Sequence, residues 1–191
     1  MSHKDEGWAT EGWATEGWAT EGCMMKAEPR ILVAGIGNIF LGDDAFGVEV
    51  AQQLMGHNLP ENVRVVDFGI RSYDLAFAIL EEYEATILVD ATAQGGTPGT
   101  LYLMEPDLDD LDQFGGQMVD GHSMNPVAAL QLVKTFGGRP RRLFLVGCEP
   151  ATLECEEGEI GLSQPVQAAV AGAIEMVESL VDKILNHGAY A

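Results

Sequence analysis

Short continuous apolar runs alternate along the chain with longer segments in which apolar residues recur every three or four positions. The apolar runs predict β-strands at Arg30–Ala34, Val63–Asp67, Ala85–Asp90, Thr100–Met104 and Arg141–Gly147. The helical spacing predicts helices at Asp44–Met55, Ser72–Glu82, Asn125–Phe136 and from Gln164 to about Leu185. Strands such as ILVA, TILV and LFLV are apolar throughout, as expected when helices cover both faces of a sheet. The pattern therefore predicts an α/β fold, a three-layer doubly wound sandwich of about five mainly parallel strands.

Two segments refine this picture. Only the short loop Ala91–Gly99 separates Thr100–Met104 from the preceding strand, whereas a parallel crossover needs a dozen residues or more. We therefore predict that this strand is antiparallel and lies at an edge, followed by an acidic surface loop at Glu105–Asp120. The closing helix has a clear apolar stripe, formed by Val166, Val170, Ile174, Val177, Val181 and Ile184.

The N-terminal segment repeats the pentapeptide EGWAT three times between Glu6 and Thr20. A period of five fits neither a helix nor a strand, and three copies are too short for a solenoid. We interpret residues 1–23 as a disordered tail or the product of a misplaced start codon, because Met24 or Met25 is a natural start. Residues 24–191 are then a single α/β domain, and we expect deletion of the tail to leave folding and activity unchanged.

The charge balance restricts the classes of partner. The chain has 30 acidic against 10 basic residues, a net charge of −20. Such a surface repels nucleic acid and anionic lipid, so both are excluded as expected partners, whereas a metal ion or a cationic segment is favoured. The three cysteines form an odd set without CxxC spacing, which favours a reducing, cytoplasmic location over a disulfide scaffold. No apolar run approaches the roughly 18 residues of a membrane span.

Candidate chemistry begins after the first predicted strand. A Gly-x-Gly-Asn turn at Gly35–Asn38 leads to two adjacent carboxylates, Asp43 and Asp44. Helix capping alone explains Asp43, so Asp43→Asn is expected to cost only about 1 kcal/mol. Capping does not require a second acid, however, and open α/β sheets bind ligands beyond the carboxyl ends of their strands. The pair therefore indicates a site.

Three further polar residues stand at the ends of predicted elements. Asp67 ends the second strand, Asp90 ends the third, and His122 precedes the third helix. Taken singly, the two acids have a structural explanation as partners of loop amides, and His122 has one as a helix cap. In this topology, however, the first and third strands are neighbours, so Asp44, Asp90 and His122 are expected to open onto one crevice. Two carboxylates and an imidazole suit a first-row divalent ion with open positions for water or substrate.

From Arg30 to about Leu185 the chain resembles the hydrogenase maturation endopeptidases, which trim the large subunit of nickel–iron hydrogenases. The resemblance rests on GIGNIFLGDD with Gly47 following, DFGIRSYDL, ILVDAT, GHSMNP and LFLVGCEP, in order and at compatible spacing. It implies that Asp44, Asp90 and His122 bind nickel, with Asp67 as a candidate accessory residue. Ala45 stands where many members have glycine, a departure that affects no ligand.

The resemblance also implies a substrate and a reaction. The substrate would be a hydrogenase large-subunit precursor that already carries nickel, and the cut would remove its short C-terminal extension. A metal held by only three weak protein ligands is easily shared, so nickel on the substrate could be sensed directly. The nucleophile is either a water polarised by nickel or a water activated by a carboxylate, a metallo-type or an aspartic-type mechanism. A nickel-binding chaperone or scaffold with the same fold and no cleavage is the alternative function.

Other classes of site fit less well. A dinucleotide-binding loop requires a third glycine where Phe40 stands. A phosphoacceptor receiver requires a lysine after its fifth strand, where this chain has Gly147–Pro150. A serine peptidase lacks its nucleophile-elbow motif, and the acidic surroundings of Cys148 and Cys155 are expected to raise the pKa of either thiol.

Overall fold

The computed structural model describes residues 30–81, 83–108, 126–153 and 160–187. Within these ranges, strands and helices alternate as the hydrophobic pattern predicts. The strands are β1 (Ile31–Ile36), β2 (Val63–Gly69), β3 (Ala85–Ala91), β4 (Leu101–Met104) and β5 (Leu143–Cys148). The helices are α1 (Phe46–Leu54), α2 (Ser72–Ile79), α3 (Pro126–Thr135) and α4 (Gln164–His187), and a 3-10 turn (Gly42–Ala45) precedes α1.

The described strands form one sheet in the order β2-β1-β3-β5-β4. β1 pairs in parallel with β2 and with β3, and β3 pairs in parallel with β5. β4 pairs only with β5 and runs antiparallel to it, so the predicted antiparallel edge strand is confirmed. Gly35 of β1 lies opposite Val89 of β3. The carboxyl ends of these two strands therefore stand side by side, as the proposed crevice requires.

Helices cover both faces of the sheet, which confirms the three-layer sandwich. Phe46, Val50 and Leu54 of α1 pack with α4 against one face. α2 and α3 cover the opposite face, around residues such as Leu88 and Leu130. The predicted apolar stripe of α4 is buried along its whole length. None of the described helices is long and apolar enough to cross a membrane.

The main difference from the predicted elements concerns the start of the first helix. The α-helix begins at Phe46, two residues after the predicted Asp44, because Gly42–Ala45 forms a tighter 3-10 turn. Leu41 stands at the N-cap position of this turn and makes no capping side-chain bond. The predicted tail at residues 1–23, His122, Cys155 and most of the loop predicted at Glu105–Asp120 lie outside the described residues.

Candidate active site

Asp44 is placed by the turn that follows β1. Gly37 has a φ of 132°, and a Cβ atom there would lie 1.7 Å from the carbonyl oxygen of Asp44, so only glycine permits this close approach. The amide N–H of Asn38 donates to Oδ2 of Asp44 at 2.7 Å. Asp44 is only 4% exposed. Burial raises the pKa of its carboxyl group, and the bond from Asn38 opposes that shift only in part.

Asp90 lies near the end of β3, where its carboxyl group is close to that of Asp44. It is also 4% exposed. Its pKa lies well above the ordinary value, first because of burial and second because of the negative charge of Asp44, while the amide of Ala91 opposes the shift. The structure therefore brings together two of the three predicted ligands. Two buried acids that repel each other are favourably neutralised by protons or by a divalent cation.

The third predicted ligand, His122, lies outside the described residues. Within the described ranges, no three side chains of His, Cys, Asp or Glu converge to hold a metal ion. The chain re-enters the described part at Pro126, where α3 begins, and α3 packs on one face of the sheet. Alternation along β3 directs the side chain of Asp90 to that same face, since Val89 and Ala91 belong to the opposite one. His122 as the third ligand stays a prediction.

Asp67 lies at the end of β2 and belongs to a neighbouring groove. Its Oδ2 atom accepts a hydrogen bond from Nε2 of Gln52 at 3.0 Å. The half-buried side chain helps to line an open groove of about 370 Å³ beside the turn that holds Asp44. Ile39, Phe40 and Ile70 line the same groove and are largely exposed, Phe40 at 59%. A carboxylate in an apolar groove of this kind is suited to contact a bound polypeptide.

The predicted capping role of Asp43 is wrong. Its side chain is 1% exposed and reaches away from the turn. Its Oδ1 accepts from the amide of Ser163 at 2.7 Å, and its Oδ2 accepts from the Ser163 hydroxyl at 2.9 Å and the Ala151 amide at 2.8 Å. A weaker bond from the amide of Thr152 measures 3.4 Å. Asp43 thus ties the site turn to the loop after β5 and to the residue preceding α4.

Glu149, which follows β5, is a buried acid that the sequence analysis did not single out. Its carboxylate accepts bonds from the amides of Gln94 at 2.8 Å and Gly95 at 3.1 Å, and from the hydroxyl of Tyr102 at 2.8 Å. Burial alone would raise its pKa, but these donors and the amide of Gly96 outweigh burial and lower it. Glu149 therefore fixes the loop that leaves β3 just beyond Asp90.

Cys148 has the environment of an inert thiol. Its side chain is buried in the cluster between the sheet and α4. Burial, followed by the charges of Asp43 and Glu149, raises the pKa of the thiol to about 12. The expected direction is confirmed, although burial is the main cause. A thiol that stays protonated at neutral pH is a poor nucleophile, so Cys148 does not support a cysteine-peptidase mechanism.

A comparison with known protein families identifies the family to which this chain belongs. The family model for the HycI hydrogenase maturation proteases matches residues 48–180, which include β3 and its Asp90. The chain belongs to the hydrogenase maturation proteases. HupD of Rhodobacter capsulatus, a hydrogenase expression/formation protein, is 38% identical over 149 residues, covering 76% of this chain and 66% of that protein. A putative hydrogenase maturation protease of Methanocaldococcus jannaschii is 33% identical over 154 residues, covering 80% of this chain and 97% of that protein.

Solved structures of hydrogenase maturation proteases share the fold. The hydrogenase maturating endopeptidase HybD of Escherichia coli superimposes with a TM-score of 0.69 at 29% identity, over 81% of this chain and 93% of that one. The hydrogenase 2 maturation peptidase of a Thaumarchaeota archaeon gives 0.59 at 32% identity, over 80% and 97%. The expected family, and with it the general assignment as a hydrogenase maturation protease, is thereby confirmed.

Proposed function

We propose that this maturation protease removes the C-terminal extension of a hydrogenase large-subunit precursor that already carries nickel. The observation that carries the proposal is a pair of buried carboxyl groups. Asp44 lies in the turn that follows β1, and Asp90 lies at the carboxyl end of the adjacent parallel strand β3. Their raised pKa values reflect a position where negative charge is poorly compensated by the protein. A dication borne by the substrate would supply the missing charge.

The nickel is part of the substrate in this proposal. Asp44, Asp90 and His122 would complete its coordination, an oxygen, oxygen and nitrogen set that suits a first-row divalent ion. Because the two acids must be ionised to bind the ion, a precursor without nickel would face a site that favours protonation instead. Cleavage would therefore depend on prior metal insertion, which makes the site a checkpoint.

The hydrolytic step has two routes in this site. In both, water adds to the scissile carbonyl carbon, the carbon–nitrogen bond breaks, and the departing amine takes up a proton. In the first route the nickel ion of the substrate acidifies the attacking water. In the second a carboxylate of the site accepts the proton, for which a raised pKa is suitable because it makes the carboxylate a stronger base. Loss of activity in metal-free precursor together with a normal affinity for that precursor favours the first route.

The groove beside Asp44 is the proposed binding place for the segment around the cleavage point. Asn38 lines the groove and also donates to Asp44, so the groove and the acid pair share one turn. Exposed Ile39, Phe40 and Ile70 offer an apolar surface, which a soluble chain commonly keeps for a partner. Asp67 would bind a donor group of the same segment.

A cleavage assay tests the proposal. Purified precursor, with and without nickel, is incubated with the parent protein and with Asp44→Asn, Asp90→Asn and His122→Ala, and the products are separated by mass. We expect cleavage of nickel-loaded precursor by the parent protein alone, with the variants folded but at least about 100-fold slower. A parent protein that binds nickel tightly yet never cleaves would support the chaperone instead.

A further inference from the structure

Thr92, the residue after β3, has a buried hydroxyl group with no hydrogen-bond partner in the part of the chain that the structure describes. The residue is only 2% exposed. Its backbone is fixed, because its amide donates to the carbonyl oxygen of Cys148 at 2.8 Å. A buried polar group without a partner reduces the stability of a fold. Its presence at this position therefore requires an explanation.

The hydroxyl of Thr92 lies on the same face of the sheet as Asp90. Val89 and Ala91 pack on the α1 and α4 side, so the alternation of the strand directs Asp90 and Thr92 to the other side. Gly147 lies opposite Asp90 in the β3–β5 pairing. A Cβ atom at Gly147 would lie 2.9 Å from Oγ1 of Thr92. The glycine thus leaves room for this hydroxyl beside Asp90.

The residues that the structure describes supply the Asp90 carboxyl group with few hydrogen-bond donors. The backbone amide of its neighbour Ala91 is the donor that the structure describes for its carboxyl group. A carboxylate that binds a metal ion is normally oriented by further hydrogen bonds from the surrounding protein. An unpartnered hydroxyl two residues further along the same face is a candidate to provide one.

We propose that Thr92 is a positioning residue, whose hydroxyl donates a hydrogen bond to the Asp90 carboxylate when that carboxylate holds the ion. The inference rests on the proposed function, since Asp90 must be a ligand. It explains why a costly polar group is retained in the metal-free fold. It also predicts that the hydroxyl contributes to ion affinity and not to the stability of the metal-free protein.

The test is titration of the full chain with Ni²⁺ by calorimetry, together with melting of the metal-free protein. Thr92→Val keeps the shape and removes the hydroxyl, so we expect a 10- to 100-fold loss of Ni²⁺ affinity, roughly the range for groups that support a ligand. The metal-free melting temperature should be equal or higher, because an unsatisfied polar group has been removed. Thr92→Ser should restore affinity to within about threefold, the residual loss reflecting only a freer rotamer.

Thr86→Val is the matched control, the same substitution at a buried threonine on the same face of β3. It lies six residues away, about 20 Å along the strand, and should leave Ni²⁺ affinity unchanged. Parent affinity in Thr92→Val, with binding lost in Asp90→Asn, would overturn the inference and leave the proposed function standing. Parent affinity in Asp90→Asn would overturn both.

Two further measurements also decide whether Thr92 is a positioning residue. A metal-free melting temperature that falls by more than about 5 °C in Thr92→Val, over 1 kcal/mol for a chain of this size, would make the hydroxyl structural and overturn the proposal. If Ni²⁺ alone binds the parent protein too weakly to titrate, the same variants are compared on nickel-loaded precursor. A 10- to 100-fold lower kcat/KM in Thr92→Val, rescued in Thr92→Ser, supports the proposal, and equal rates overturn it.

Discussion

Asp43 and Asp44 are adjacent in one turn and equally buried, yet their carboxyl groups have opposite environments. Asp43 accepts bonds from the amides of Ala151 and Ser163 and from the Ser163 hydroxyl. Asp44 accepts a hydrogen bond from the amide N–H of Asn38 and lies near the like charge of Asp90. The described residues thus supply the first carboxylate with at least three donors, and the second with the single amide of Asn38. Burial alone therefore does not distinguish a structural acid from the metal ligand that we propose, whereas the number of hydrogen-bond donors differs between the two.

The same contrast holds at the end of β3. Glu149 is surrounded by amides and the Tyr102 hydroxyl, and its pKa is lowered. Asp90, close by in the fold and equally buried, has a raised pKa. The fold thus supplies hydrogen-bond donors to Asp43 and Glu149, which fix loops around the crevice. Asp44 and Asp90 instead have raised pKa values, as expected for the cation site that we propose. Substitutions that remove charge but keep shape should affect the two pairs differently.

The largest effect is expected for Asp90→Asn, which should reduce processing of nickel-loaded precursor by at least about 100-fold, or about 3 kcal/mol. The same change should raise the melting temperature of the metal-free protein at neutral pH, because it removes a buried, repelled charge. Cleavage assays and calorimetric melting in a chelator measure the two effects. Loss of activity together with a lower melting temperature would contradict the proposed contrast with Asp43.

Asp43→Asn should have the second-largest effect, on stability. The amide group of asparagine presents N–H donors to amides that already donate, so we expect a loss of about 3 kcal/mol. This replaces the expected 1 kcal/mol of a helix cap, and corresponds to a fall in melting temperature of roughly 10 °C. Denaturant unfolding gives the free energy directly. Asp74→Asn is the control, because Asp74 lies in an exposed ion pair with Arg71. This substitution should change the free energy of unfolding very little. An equally small effect of Asp43→Asn would contradict the structural role of Asp43.

These two acids show which parts of the site are encoded locally in the sequence. The strands, the antiparallel edge and the meeting of Asp44 with Asp90 follow from hydrophobic periodicity and strand order, which are local or topological properties. The role of Asp43 depends on Ser163, 120 residues away in the chain, and no local pattern encodes that contact. Glu149 was missed for the same reason, since its donors at Gln94 and Tyr102 belong to another loop and to β4.

Thr92 could have been found from the sequence. It stands two residues after Asp90, and strand alternation places both on one face. What the sequence could not show is that its hydroxyl lacks a described partner, or that Gly147 leaves the space for it. Whether a polar group finds a hydrogen-bond partner is a property of the packed structure, so this part of the site has no signature in the sequence.

The difference between the acids with raised pKa values and Glu149 should also appear in the pH dependence of stability, as a smaller effect than those of the substitutions above. Asp44 and Asp90 have raised pKa values in the fold, so the folded state binds more protons, and their contribution to stability falls as pH rises from about 4 toward the raised values. Glu149 has a lowered pKa, so its contribution is present above the ordinary glutamate value and is lost as pH falls through the lowered one. Melting temperatures of metal-free protein at pH 3 to 8 should peak in mild acid. In Asp90→Asn the decline of the melting temperature toward neutral pH should be smaller. An unchanged dependence of the melting temperature on pH would mean that Asp90 is not the group responsible.

The smallest effect is expected for Asp67→Asn. Asp67 accepts from Gln52 and opens onto the groove, so the amide should weaken precursor binding by about tenfold and leave Ni²⁺ affinity unchanged. Steady-state cleavage should show this as a raised KM with little change in kcat, because uniform binding has been reduced. Gln52→Ala is the control that removes the same hydrogen bond and keeps the charge, and it should have an even weaker effect. If His122→Ala kept full activity while Asp67→Asn lost it, the metal assignment would give way to a peptidase that uses carboxylates alone, since Asp67 would then have to act on the reacting water.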